Sequence, residues 1–138
     1  MNWYSYALLS AGAAAATAIL AKVGVEGIPS TLATAIRTVV VAVLTCVVVA
    51  ALGHERMLPE LSRKTLLFLV LSGLGTALSW LAYFRALQLA PASWVAPIDK
   101  LSLPFTIVLA SVFLGEPLTW QLATGVALMV AGAVITTV

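Results

Sequence analysis

Apolar residues fill long blocks of this chain instead of recurring with a short period, and polar clusters break the blocks at four places. The breaks are KVGVEGIPS (22–30), GHERMLPELSRK (53–64), ALQLAPAS (86–93) and GEPLT (115–119). Each block approaches the roughly 20 apolar residues that a helix needs to cross a bilayer. Val39 to Val49 is rich in β-branched residues, which in water would suggest a strand. In lipid a lone strand cannot satisfy its own backbone, so a helix is expected there too. The pattern therefore predicts an all-α, polytopic membrane protein: five transmembrane helices at about 3–22, 29–52, 62–88, 93–114 and 117–137, in a single domain over 1–138. Pro29 and Pro117 are placed early in the second and fifth helices, where a missing N–H costs nothing.

Composition strengthens this reading. The chain is 62% hydrophobic and only 9% charged, against about one quarter charged in soluble domains. The first block has no basic leader and runs past any plausible cleavage point, so it is read as a retained span. Cys46 has no second thiol to pair with, and the only histidine, His54, lies in the polar 53–64 cluster. Neither a disulfide nor a metal site is expected, and no cofactor is implied. No nucleophile–base arrangement or phosphate loop is present, so no enzyme is expected. Seven Lys/Arg against five Asp/Glu form no basic patch, which removes nucleic acid as a partner. Arg56, Arg63 and Lys64 lie on the side of the N-terminus and Lys22, with Arg85 at a helix end, on the other. This weak bias favours the N-terminus inside and is small enough for dual topology.

Ionisable residues inside spanning helices are costly and mark functional candidates. Arg37, Arg85, Asp99 and Lys100 qualify. Counting along the helices places Arg37 about 12 Å, Asp99 about 10 Å and Arg85 about 5 Å from one and the same side. A layer of charge is expected, with Asp99 paired to Arg85 or Arg37 and an excess of positive charge for a substrate carboxylate or phosphate. Within APIDKLSLPF (96–105), Pro104 removes the N–H that would bond to the Lys100 carbonyl, so a free backbone acceptor is expected beside the Asp–Lys pair. Ser102 adds a hydroxyl three residues from Asp99.

A blander arrangement stays open: if the fourth helix starts at Pro97, Asp99 is an N3 residue set against the helix dipole. Arg37 and Arg85 then only snorkel or tie helix ends. Trp80 and Tyr83 share a face, with Thr76 one turn away, and suit either a cavity wall or plain packing. Trp3, Tyr4 and Trp120 are read as interfacial belt residues. Gly125, Gly132 and Thr136 form a smooth seam for another helix.

YFRALQLAPAS (83–93), Pro104, LGEPLT (114–119) and Gly125 with Gly132 together resemble the EamA repeat of the drug/metabolite transporter superfamily. The likeness covers essentially the whole chain. Most members of that family carry ten helices as two oppositely oriented repeats, whereas this chain is similar to the five-helix, single-repeat bacterial and archaeal subgroup. The resemblance implies a carrier working by alternating access around a cavity between repeats, with the last helix used for assembly. The Asp99–Lys100 pair departs from the mostly apolar fourth helix of that pattern. A single repeat offers one cavity wall, so an antiparallel homodimer or a homologous partner chain is expected to complete it. The expected function is a secondary transporter subunit in a prokaryotic inner membrane, embedded in lipid and moving a small polar or amphiphilic metabolite. Asp99, Lys100, Ser102, Arg37, Arg85, Trp80 and Tyr83 are its candidates for substrate or proton binding, and Pro97 and Pro104 its helix breaks. The rival is a non-transporting membrane scaffold that binds lipid or another protein.

Overall fold

A computed structural model describes residues 2–137, and every regular element among them is helical. The helices are α1 (Trp3–Gly24), α2 (Ser30–Ala51), α3 (Arg63–Leu89), α4 (Ala92–Asp99), α5 (Ser102–Leu114) and α6 (Trp120–Ile135), with a 3₁₀ segment at His54–Glu60. Four stretches are long and apolar enough to cross a membrane: Trp3–Gly24, Ser30–Ala51, Arg63–Leu89 and Ala92–Leu114. The apolar α6 is shorter, at 16 residues, or about 24 Å. The expected polytopic all-α protein is thus the observed one, with the five spans displaced by at most three residues at their ends.

Local chemistry sets those ends. Asn2 accepts the Tyr4 N–H at 2.8 Å at the start of α1, and the Ser62 hydroxyl accepts the Thr65 N–H at 3.0 Å at the start of α3, both satisfying first-turn donors. Pro29 stands one residue ahead of α2 as its N-cap instead of inside it. The larger correction is Pro117, which lies in the non-helical 115–119 connector. Thr119 caps α6 instead, its hydroxyl accepting from Leu122 N–H at 3.3 Å. A side-chain oxygen that pairs with a first-turn N–H does more for a helix start than a proline that merely lacks one. Gly115 ends α5 at φ 69°, a left-handed turn that glycine makes without a Cβ clash.

The fourth span is one crossing made of two helices. Lys100 and Leu101 separate α4 from α5 while keeping right-handed dihedrals (φ −70°, ψ −8° and φ −62°, ψ −16°). The pieces therefore meet through a tight turn. Pro104 accounts for the break, since it withholds an N–H from the Lys100 carbonyl, whereas Pro97, read as a second helix break, lies inside α4, and the carbonyl that lacks its N–H is Ser93. The ladder tightens around the gap, with Leu101 N–H bonding to the Ile98 carbonyl and Leu103 N–H to the Lys100 carbonyl, each at 3.0 Å.

The chain divides into two compact units, Ala21–Gln88 and the remainder, comprising the residues up to Leu20 and those from Leu89 onward. In Ala21–Gln88 the buried residues are Val25, Thr34, Phe84 and Leu87, with Leu87 fully enclosed. In the other unit, α6 packs on both α4 and α5 and the buried residues are Val95, Pro104 and Ala133. Most large apolar side chains face outward, and α1 has none buried. Such surfaces suit lipid tails, which are as apolar as leucine. Six helical threonines, Thr34, Thr38, Thr45, Thr76, Thr106 and Thr124, turn their hydroxyls back onto the carbonyl four residues earlier, at 2.8–3.0 Å. In a medium without water this disposes of the hydroxyl proton inside the helix itself.

Candidate functional site

Within Ala21–Gln88, the α2–α3 pair builds a cationic cluster on aromatic rings. Arg37 is the eighth residue of α2, about 11 Å along it, and is half-buried. Its Cζ stands 4.2 Å from the centroid of the Trp80 ring and 5.5 Å from that of Phe84. Trp80 and Phe84 are four apart on α3, so one helical turn presents both rings to the same cation. Phe84 is buried, and its ring meets Tyr83 edge-on at 6.3 Å and 67°. A cation over aromatic faces gains about 0.5–2 kcal/mol, most where water is excluded. The structure thus joins two of the candidate residues, Arg37 and Trp80, through a contact that was not expected. Phe84, the third member, was missed.

The end of α3 forms a second polar cluster. Gln88 donates through Nε2 to the carbonyls of Ile28 at 2.6 Å and Val25 at 3.3 Å. Arg85 donates to Gln88 Oε1 at 3.0 Å. Lys22 reaches the Leu87 carbonyl at 2.5 Å, one of the acceptors that a helix C-terminus leaves without an intrahelical partner. Together these side chains tie the α1–α2 connector to the last turn of α3. Arg85 thus braces Gln88 from one turn earlier on the same helix. Neither Gln88 nor Lys22 was singled out from sequence. The available signal was the run Arg85-x-x-Gln88, two polar side chains one turn apart at the end of an apolar helix.

In the other unit, Asp99 and Lys100 sit at the break of the fourth span. Lys100 Nζ lies 3.5 Å from Asp99 Oδ2, with 34% of the Asp99 side chain and 58% of the Lys100 side chain exposed. Because α4 begins at Ala92, Asp99 is its last residue and not the third. A carboxylate at a helix C-terminus faces the unfavourable end of the dipole, so this position is not explained by capping. Lys100, on the C-terminal side of Asp99, offsets that cost. The free carbonyl expected at Lys100 is corrected, since Leu103 N–H, three residues on, takes the place of the missing Pro104 donor. Ser102 opens α5 and is exposed, and its carbonyl accepts from Thr106. Trp3 and Trp120 are 79% and 82% exposed at helix ends.

The sequence profile of the EamA-like transporter family matches residues 1–138. The chain belongs to the EamA-like transporter family. This EamA-family chain is also 50% identical over 134 residues to a Sinorhizobium protein named "Uncharacterized transporter in cobO 3'region", a match covering 97% of this chain and 95% of that one. The two sequences are therefore of near-equal length. No solved structure matches the chain. With its spanning helices, the EamA-family chain is a multi-pass membrane protein of a transporter family.

Proposed function

We propose that this EamA-family chain is a subunit of a secondary carrier in a prokaryotic inner membrane, moving a small polar or amphiphilic metabolite by alternating access as an antiparallel homodimer. The observation that carries the proposal is the broken fourth span, Ala92–Asp99 and Ser102–Leu114, with an acid and a base at the break. Interrupted helices in carriers sit at binding sites, and here the interruption carries two ionisable side chains within an apolar spanning segment, where such groups are functional candidates. Asp99 and Lys100 bind substrate or a proton at this break, with Ser102 beside it; within Ala21–Gln88, Arg37 on Trp80 is a separate candidate for substrate contact. Two observations support the inverted dimer: the chain holds a single five-helix repeat, and its Lys/Arg bias is weak enough for both orientations.

Uptake into proteoliposomes of a solute panel at several pH values tests transport, and tags on both termini in cells test topology. Accumulation of one solute, lost in Asp99→Asn, is expected, with each terminus found on both sides. If no solute moves, the carrier reading fails. A single orientation with no partner chain copurifying rules out the inverted dimer.

A further inference from the structure

We infer that Arg37 is an oxyanion-recognition group: the ligand of the carrier proposed above, on which this inference rests, bears a carboxylate or phosphate that docks on a guanidinium held over Trp80. Contact with ring faces acts on the charge of Arg37 and uses none of its hydrogen bonds. A guanidinium has five N–H donors, and each needs an acceptor where water is scarce. Among the described residues no acceptor takes a bond from Arg37, and no carboxylate pairs with it. The neighbouring cations of the same unit are used differently, Lys22 on the Leu87 carbonyl and Arg85 on Gln88. Thr34 and Thr38, beside Arg37 on α2, direct their protons to the carbonyls of Ser30 and Thr34.

Trp80 and Phe84 therefore fix where the guanidinium stands and leave its hydrogen-bonding capacity to something outside this chain's described residues. The chemistry that fills such a fork is an oxyanion with two acceptor oxygens. Lysine would keep the charge but lose both the fork and much of the ring contact. The oxyanion has two possible sources, a solute or a lipid headgroup phosphate, and the probes below separate them.

Trp80 also supplies the readout, because an anion at Arg37 changes the field on the indole. The protein is purified in a phosphate-free maltoside detergent, both intact and with Trp3, Trp94 and Trp120 replaced by Phe. It is titrated with benzoate, benzamide, inorganic phosphate, and short-chain phosphatidylglycerol or phosphatidylcholine. A saturable change in Trp80 emission with benzoate or phosphate is expected, with benzamide about tenfold weaker or worse. Arg37→Lys should weaken the anion about tenfold and Arg37→Met abolish the response. A response to phosphatidylglycerol alone assigns the oxyanion to lipid and supports the recognition group. Equal binding of benzoate and benzamide, an unaltered response in Arg37→Met, or no response to any anion overturns it. Uptake in proteoliposomes separates this from the carrier reading. Movement of a neutral or cationic solute at an unchanged rate in Arg37→Lys sinks the oxyanion inference and leaves the carrier standing.

Discussion

Ala21–Gln88 and the stretch from Leu89 onward both carry charged side chains within apolar helices, and they hold them in opposite ways. In the first, each long polar side chain at the end of α3 has a defined partner: Lys22 the Leu87 carbonyl, Gln88 two connector carbonyls, and Arg85 the Gln88 amide. Around them Val25, Phe84 and Leu87 are buried. In the second, Asp99 and Lys100 hold only one another in the contacts described, at 3.5 Å, next to a break in the helix. A pair of sequence neighbours at that distance fixes little, because each side chain turns away without disturbing a packed core. The difference separates charge used as construction from charge left adjustable, and residue type alone does not distinguish them.

Substitutions that remove one kind of contact at a time test this division, read as thermal unfolding in detergent micelles by circular dichroism. Leu87→Ala should cost most, about 3 kcal/mol, since it opens a cavity at a fully enclosed position. Gln88→Leu should follow at about 2 kcal/mol, because the Val25 and Ile28 carbonyls lose their donor while the volume is kept. Arg37→Met should cost about 1 kcal/mol, the worth of a cation on aromatic faces. Asp99→Asn should change stability by less than about 0.5 kcal/mol, yet lower uptake by at least tenfold if the carboxylate binds substrate or a proton, the order expected for loss of a charged contact. The comparison breaks if Asp99→Asn unfolds the protein as readily as Gln88→Leu, or if Gln88→Leu is as stable as the parent.

Much of the fold was legible because the bilayer simplifies the rule: long apolar blocks must become helices, and the polar clusters mark their ends. The sequence also carried the cause of the broken fourth span, in Pro104. It did not give the place of the break, because the i−3 bonds of Leu101 and Leu103 tighten the ladder three to four residues ahead of that proline. The site was less legible. Arg37 was conspicuous as a charge in a valine-rich helix, but its seat on Trp80 and Phe84 depends on how α2 meets α3, and spacing within one helix says nothing about that. Gln88 was hidden for a different reason. An amide near a helix end looks like ordinary solvated surface until the connector of another helix is folded against it.

The shortness of α6 has a consequence for where this protein can work. Its 16 residues reach about 24 Å, less than the roughly 30 Å of a typical hydrocarbon core, whereas the 22 residues of α1 reach about 33 Å. Lipids beside α6 must compress, or the Gly115–Thr119 connector with its Glu116 must be drawn toward the acyl chains, while α1 is matched without adjustment. The two helices thus favour different bilayer depths. Acyl-chain length becomes a variable that acts on this molecule unevenly, with thin membranes relieving α6 and thick ones loading it.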